Sequence, residues 1–264
     1  MTHTKQKRKK SVLSLICLTV CLVALVGVFC FIWKEIQKET SIIHMEEENQ
    51  EYIIETPDTP AENSNTTNEG DGYVFDWEQL QTINPDIVGW IRFDNPSRIN
   101  YPIVQGDNNQ TYLNHDWQGR YQPAGSIFMH KENQPNFTDA NTILYGHRMI
   151  GGSMFGSLNN YASQDFLDAN PYFYIYTPDG KKRTYEIYTY SQVTDGSDVY
   201  SIRFESSKER LEYFQFMKDR ALTSRNVTLD QFDTSITLST CASYGYYDRM
   251  VTQGKLISIT QNQK

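Results

Sequence analysis

The chain has few cysteines, and where they lie narrows the possible classes of protein. Three of the four, Cys17, Cys21 and Cys30, fall within one apolar stretch near the N-terminus, which leaves Cys241 alone in the rest of the sequence. A single thiol excludes an intramolecular disulfide framework in that part of the chain. Cys241 is therefore either a small buried side chain or a reactive group.

Basic residues are scarce after the first eleven positions. Five of the 24 Lys and Arg lie in residues 5–10, which leaves 19 against 32 Asp and Glu, a balance of −13. A nucleic-acid-binding protein needs a basic surface, so this class of function is excluded. The sequence also lacks a His, Cys, Asp and Glu cluster with the spacing of metal ligands, and we expect neither a metal nor a cofactor.

Charge and proline are both absent from residues 12–33, a 22-residue apolar run. As a helix this run would span about 33 Å, enough to cross the ~30 Å hydrocarbon core of a bilayer. The basic residues before it predict a cytoplasmic tail at 1–11 and an extracytoplasmic remainder. We interpret 12–33 as a retained, single-pass signal-anchor in the cell membrane. A cleaved signal peptide is the alternative, although its apolar region is normally shorter.

Residues 34–71 contain eleven acids and two lysines and end in a segment rich in Pro, Asn, Thr and Glu. Such a composition buries too little apolar surface to offset the entropy of ordering. It predicts an acidic, mostly extended and flexible stalk, with some helix near the membrane. Aromatic and β-branched residues become frequent from Gly72 onward, so we assign residues 72–264 to one folded domain.

The pattern after residue 72 is that of a mainly β domain. Short alternating runs predict about eight strands, and the clearest pair is a hairpin around the turn PDGK at residues 178–181. Residues 206–222 begin with a serine cap and place apolar side chains on one side, which predicts an amphipathic helix. Together these elements describe a β-barrel or a sandwich with inserted helices.

Two chemically reactive residues end predicted strands. Cys241 ends SITLSTC and His147 ends NTILYGH, and side chains at strand ends can meet at one face of a barrel. A thiol attacks only as the thiolate, which a nearby imidazolium stabilises before it protonates a leaving amine. Arg249, at the start of the next strand, offers permanently charged donors for an oxyanion or a substrate carbonyl.

The residues leave alternatives open. Cys241 alone would more often be a buried structural thiol, and Arg249 alone a salt-bridge partner of Asp248 or Asp233. Either aspartate could instead orient His147 as the third member of a triad. Two other histidines of the domain keep a claim to the acid role: His115 and His130.

The motif TLSTC at residues 237–241, followed by Arg249 and preceded far upstream by YGH, resembles that of sortases. These are membrane-anchored cysteine transpeptidases of Gram-positive bacteria. The resemblance runs from about residue 83 to residue 259 and is strongest to class B, through NPDIVGWI, YPIVQGDNNQTYL and the long helix before TLSTC. It implies the eight-stranded sortase β-barrel, with an N-terminal helix and the 206–222 helix inserted before the catalytic strand.

The resemblance also implies roles for individual residues. Cys241 corresponds to the nucleophile, His147 to the general acid, and Arg249 to the group that positions the oxyanion or substrate. Seven further positions correspond to the groove that binds the sorting signal: Asn109, Leu113, Tyr145, Tyr200, Ile202, Ser239 and Thr240. From the residues alone, Asn109 and Leu113 could equally be a helix cap and a core residue.

A sortase would cleave a C-terminal sorting signal of a secreted protein through a thioacyl-enzyme. It would then transfer the acyl group to an amine of peptidoglycan or of its lipid-linked precursor. The implied partners are those secreted proteins, the precursor amine and the membrane. A plain extracytoplasmic cysteine endopeptidase and a non-catalytic surface-binding domain are the alternatives. The sequence leaves open the sorting motif, the acceptor amine, wall anchoring as against pilus assembly, and the oligomeric state.

Overall fold

A computed structural model describes residues 2–55, 72–194, 196–241 and 248–262, with the backbone alone described for 2–15, Glu55 and Cys241. The chain divides into two compact units, residues 1–44 and 45–264. Helix α1 spans Thr2–Gln50. Its portion Ile16–Gln50, with a mean hydropathy of 2.8 in its most apolar window, is long and apolar enough to cross a membrane.

The predicted stalk differs from the structure where the two can be compared. Residues 34–50 are helical, and strand β1 follows at Ile53–Glu55; residues 56–71 lie outside the described ranges. The second compact unit accordingly begins at Met45 rather than at residue 72. The physical reason is that this acidic stretch carries apolar side chains that are buried: Met45, Tyr52 and Ile53 are each at most 9% exposed.

The second unit continues with strand β2 at Tyr73–Phe75, which pairs antiparallel with β1, and helix α2 at Trp77–Ile83. The carboxylate of Asp76 caps α2 by accepting a hydrogen bond from the Gln79 amide over 2.9 Å. The remaining strands are β3 Ile87–Arg92, β4 Asn100–Val104, β5 Ile127–Met129, β6 Asn141–Tyr145, β7 Tyr172–Thr177, β8 Lys181–Thr194, β9 Thr223–Ser224, β10 Ser235–Cys241 and β11 Asp248–Gln261.

Eight of the described strands form a closed barrel, in the order β11-β10-β6-β5-β4-β3-β7-β8, and pairing of β11 with β8 closes it. Strand β9 extends the sheet beside β8. Most pairs are antiparallel, whereas β10 with β6 and β4 with β5 are parallel. The prediction of a mainly β, eight-stranded barrel is confirmed.

Helices occupy the longer connections between strands. A 3-10 helix at Thr111–Leu113 lies between β4 and β5, and a 3-10 helix at Gly156–Ala162 with α3 at Gln164–Ala169 lies between β6 and β7. A 3-10 helix at Asp198–Tyr200 and helix α4 at Ser207–Asp219 lie between β8 and β9. The inserted helix predicted at 206–222 is therefore present, capped by Ser206 and ending at Asp219, four residues before β9 begins.

Candidate active site

Three neighbouring strands bring the predicted catalytic positions to one end of the barrel. Cys241, the last residue of β10, lies opposite Arg249 in the antiparallel pair with β11. Strand β6 runs parallel to β10 on its other side, and the Gly146 amide extends this pairing by donating to the Ser239 carbonyl over 3.1 Å. His147 is the next residue. Since parallel strands end at the same edge, the backbones of all three predicted catalytic residues meet there.

A cavity of about 220 Å³ opens at this end of the barrel. Seven of the ten predicted site residues line it: Asn109, Leu113, Tyr145, His147, Ser239, Thr240 and Arg249. Three residues that the sequence analysis did not single out complete the described lining: Gln110, Phe128 and Gly146. The lining combines apolar side chains, such as Leu113 and Phe128, with a few polar and charged ones, such as His147 and Arg249, which is typical of binding cavities.

The His147 imidazole is held by a main-chain group. Its Nε2 atom lies 2.7 Å from the carbonyl oxygen of Leu113, in the 3-10 helix Thr111–Leu113. A carbonyl oxygen can only accept, so Nε2 carries a proton and donates it to this bond. The other ring nitrogen, Nδ1, is thereby the atom that can exchange a proton with a reacting group. The 3-10 helix thus fixes both the orientation and the tautomer of His147.

The two aspartates considered as orienting groups bind elsewhere. The carboxylate of Asp248 accepts a hydrogen bond from Gln192 Nε2 over 3.0 Å. That of Asp233 lies 2.8 Å from Lys255 Nζ and also accepts from the Asp230 amide. The described geometry therefore gives the orienting role to a carbonyl oxygen rather than to a carboxylate.

Both alternative histidines are engaged outside the cavity lining. Nδ1 of His115 lies 2.9 Å from the Thr111 carbonyl oxygen, and its ring contacts that of Tyr121 edge-on. His130 Nδ1 accepts from the Glu132 amide over 3.2 Å, and burial lowers the pKa of this histidine below 6.5. Of the three domain histidines, His147 is the one placed among the described residues that line the cavity.

Asn109 and Leu113 belong to the cavity wall. The hydrogen bond to the start of the 3-10 segment comes from the neighbouring Asn108, whose Oδ1 accepts from the Thr111 amide over 2.9 Å. Asn109 Oδ1 instead accepts from the Lys131 amide over 2.8 Å, joining two loops at the rim. Leu113 is 37% exposed, so it is not a core residue but presents apolar surface to the cavity.

Tyr200 contacts two residues of the cavity wall. Its hydroxyl lies 2.9 Å from the Ser239 hydroxyl, and its ring stacks on that of Tyr145 with centroids 6.2 Å apart. Ile202 is only 8% exposed and is not among the described lining residues. The structure thus brings Tyr200 to two residues of the predicted groove, whereas Ile202 packs into the interior.

A buried amide fixes the segment that carries Tyr200. Asn141 Nδ2 donates to the Ser201 carbonyl oxygen and to the Tyr213 hydroxyl, each over 3.0 Å. Its Oδ1 accepts from the Thr237 hydroxyl over 2.8 Å. Because Asn141 lies on β6, Thr237 on β10 and Tyr213 on α4, one satisfied polar cluster joins the loop, the helix and the two catalytic strands.

Comparison with known proteins decides the family. The family model described as the sortase domain matches residues 92–257. The chain belongs to the sortase family. Sortase B of Listeria monocytogenes is 34% identical to this sortase over 236 residues, which cover 88% of the chain and 93% of the relative. The expectation of a sortase most similar to class B, and hence of a cysteine transpeptidase, is confirmed.

Solved structures agree with this assignment. Bacillus anthracis sortase B in complex with AAEK1 has a TM-score of 0.68 and 28% identity to this sortase, covering 86% of its chain and 99% of the B. anthracis chain. The Staphylococcus aureus sortase B–substrate complex has a TM-score of 0.64 and 31% identity, covering 69% and 84% of the two chains. The fold of this chain is therefore that of class B sortases.

Proposed function

We propose that this class B sortase cleaves a C-terminal sorting signal of secreted proteins at Cys241 and transfers them to an amine of peptidoglycan or its lipid-linked precursor. One observation carries the proposal: His147 and Arg249 line one cavity at the end of the strand that terminates in Cys241. The complex of S. aureus sortase B with a substrate supports substrate binding by this fold.

The first half of the reaction forms a thioacyl-enzyme. The Cys241 thiolate attacks the carbonyl carbon of the scissile amide, so a C–S bond forms and negative charge moves to the carbonyl oxygen. The Arg249 guanidinium, across the strand pair, stabilises that oxyanion. When the tetrahedral intermediate collapses, the C–N bond breaks and the leaving amine takes a proton from His147. Since Nε2 is bonded to the Leu113 carbonyl, Nδ1 is the atom that delivers this proton.

The second half reverses these roles with a different amine. The neutral His147 removes a proton from the acceptor amine, which attacks the thioester carbon. A C–N bond forms, the C–S bond breaks, and Cys241 leaves as the thiolate. One amide is thus exchanged for another without net hydrolysis or redox change, which distinguishes this transpeptidase from an endopeptidase that uses water.

Membrane attachment is the second part of the proposal. Residues 12–33 would form a single-pass anchor, with residues 1–11 in the cytoplasm and the catalytic domain outside; the apolar helix Ile16–Gln50 supports this assignment. Protease added to intact cells should degrade the domain from residue 72 onward and leave a short N-terminal fragment. A domain that is protected until the cells are lysed would contradict the proposed orientation.

The catalytic proposal is tested with the full chain in detergent and a library of fluorescent pentapeptide signals, with and without triglycine. Wild type should release the leaving fragment and, with triglycine, yield a product whose mass includes the added amine. Cys241→Ala should lose both activities. A Cys241→Ala protein that still cleaves as wild type does would refute the assignment of the nucleophile. Product that is hydrolysed whether or not amine is present would favour the endopeptidase.

A further inference from the structure

The last turn of α1 is embedded in the catalytic unit. Asn49 is fully buried, and its Oδ1 accepts a hydrogen bond from the indole nitrogen of Trp117 over 2.8 Å. Tyr52 follows the helix, and its ring contacts the Trp117 ring edge-on, with the ring centroids 5.2 Å apart. This turn therefore has fixed partners in the unit that holds the cavity.

An ion-paired cluster strengthens the first of these contacts. Glu48 lies 2.6 Å from Arg120, whose Nε also lies 2.7 Å from the buried carboxylate of Asp116. The side chains of Glu48 and Asp116 are 24% and 4% exposed and that of Arg120 is 50% exposed, so the carboxylates of the cluster are shielded from water and the guanidinium is shielded only in part. Shielding makes such charge-assisted bonds stronger and more directional than exposed pairs.

Hydrogen bonds connect Trp117 to the segment whose Leu113 carbonyl binds the His147 imidazole. Asn84 Nδ2 donates both to the Trp117 carbonyl oxygen over 2.6 Å and to the Tyr112 hydroxyl over 2.8 Å. Tyr112 is buried and is followed by Leu113, whose carbonyl oxygen accepts from the His147 imidazole. A continuous set of packed and hydrogen-bonded groups thus joins the helix end to the imidazole.

Glu46, three positions before Asn49 on α1, contacts a second part of the catalytic unit, at Arg98 and Tyr101. Its carboxylate lies 3.2 Å from Arg98 Nε and accepts a hydrogen bond from the Tyr101 hydroxyl. Arg98 also donates to the Gly151 carbonyl oxygen, and the Met154 amide donates to the Tyr101 hydroxyl over 3.1 Å. Glu46 is therefore connected to two points of the loop that follows His147.

That loop returns directly to the catalytic histidine. The Phe155 amide donates to the His147 carbonyl oxygen over 3.0 Å, so residues 151–155 fix the backbone of His147. Residues 111–117 fix its ring through Leu113. The two segments share one neighbour, residues 46–49 of α1.

We propose that residues 46–49 are a positioning element of the active site, which braces from both sides the two segments that hold His147. The proposal rests on the proposed role of His147 as general acid. Residues 46–49 touch neither substrate nor reacting atoms; they act through segments 111–117 and 151–155. Proton transfer depends steeply on geometry, so a loosened brace should slow turnover while leaving the peptide-binding wall in place.

The test uses the full chain with the double substitution Glu48→Ala and Asn49→Ala, since alanine preserves the helix. We expect kcat for transpeptidation to fall on the order of tenfold and KM to stay within about twofold. Glu186→Ala is the matched control: Glu186 lies 3.3 Å from Arg225, with side chains 21% and 25% exposed, and belongs to neither segment. The Glu186→Ala protein should have a melting temperature lowered by an amount similar to that of the double variant, but an unchanged kcat.

Two further measurements separate positioning from a general loss of stability. Glu48→Gln keeps an acceptor for Arg120 and should retain most of the wild-type kcat. In protein labelled with ¹⁵N-histidine, the His147 Nε2–H proton should exchange slowly with solvent in wild type and in Glu186→Ala, and faster in the double variant. If the double variant does not fold, Glu46→Ala, which removes the contacts with Arg98 and Tyr101 and leaves those of Glu48 and Asn49 in place, should show the same pattern of reduced kcat and unchanged KM.

The outcomes distinguish this inference from the function on which it rests. Wild-type kcat in the double variant, or an equal fall in Glu186→Ala, would overturn the bracing role. A rise in KM of the double variant at constant kcat would also overturn the bracing role. A His147→Ala protein that remains active would instead refute the general-acid assignment. If His147→Ala is inactive and the double variant is fully active, the positioning role of residues 46–49 is refuted and the proposed function is retained.

Discussion

The imidazole of His147 and the carbonyl oxygen of Leu113, 34 positions apart in the chain, are joined by a 2.7 Å hydrogen bond. This bond assigns the proton to Nε2 and makes a main-chain oxygen the orienting partner of the proposed general acid. A carbonyl cannot be deleted by mutating its own side chain. The predictions that follow therefore begin with the residue packed against it.

Gly125→Ala should displace the Leu113 carbonyl. Gly125 has φ +59°, and a Cβ added there would lie 2.3 Å from the Tyr112 oxygen and 2.7 Å from that of Leu113. We expect kcat to fall about tenfold or more and the free energy of unfolding to fall by roughly 2 kcal/mol. Steady-state kinetics and thermal denaturation measure the two effects.

Gly119→Ala is the control for backbone strain alone. Gly119 also has a left-handed φ of +82°, but a Cβ there would meet no atom within 4 Å. It should lose about 1 kcal/mol of stability and keep wild-type kcat. Equal kinetic effects of the two alanines would show that close approach to Leu113 is irrelevant.

Arg249→Lys should reduce activity although the charge is kept. The guanidinium is planar and presents its donors in a fixed fork. The lysine ammonium is a compact charge and cannot reproduce this geometry. We expect kcat to fall roughly 10-fold for Arg249→Lys and on the order of 10²–10³-fold for Arg249→Ala, with small changes in melting temperature. A lysine variant as active as wild type would exclude a directional role in oxyanion stabilisation.

Tyr200→Phe should weaken peptide binding more than chemistry. The change removes the hydrogen bond with the Ser239 hydroxyl but keeps the ring stacked on Tyr145. We expect about 1 kcal/mol of lost stability and a severalfold rise in KM at nearly constant kcat. A double-mutant cycle with Ser239→Ala measures the coupling, and strictly additive effects would show that the two hydroxyls act independently.

His130→Asn should make folding stability less dependent on pH. Burial lowers the pKa of His130 below 6.5, so the unfolded chain binds this proton more tightly than the folded protein. The His130 contribution is fully present above about pH 6.5 and declines as the pH falls toward the folded-state pKa. Asparagine still accepts from the Glu132 amide but does not titrate. Melting temperatures between about pH 7.5 and 5 should fall less in the variant; parallel curves would exclude the effect.

The sequence predicted those parts of the site that local patterns specify. Cys241, Arg249 and His147 could be proposed as catalytic from the sequence because each lies in or beside a short local pattern at the end of a predicted strand, and strand ends meet at the edge of a barrel. Phe128 was missed as a wall residue because its strand reads as ordinary core. The orienting role of Leu113 was invisible because a main-chain carbonyl has no residue-specific signal.

The docked end of α1 shows a second limit of prediction. Its composition is acidic, which favours a solvated stalk, and its buried members are too few to produce a clear apolar stripe. The partner that buries Asn49 is Trp117, 68 positions away, and such long-range pairs cannot be inferred from one sequence. Packing with distant residues, not local propensity, decided the structure of this segment.

Pairing of β11 with β8 closes the barrel, and the same strand carries Arg249, so the proposed active site is complete only when the barrel has closed. Strand β11, Asp248–Gln261, pairs along almost its whole length with β8 and on its other side with β10. The contacts of β11 with β8 are distant in sequence, and loop-closure entropy makes such pairings slow to form. Until β11 is in register, Cys241 has no Arg249 opposite it. In a chain exported as proposed, the proposed nucleophile and its oxyanion donor would therefore face each other only after residues 248–261 have joined the sheet, and acylation would wait until folding is complete.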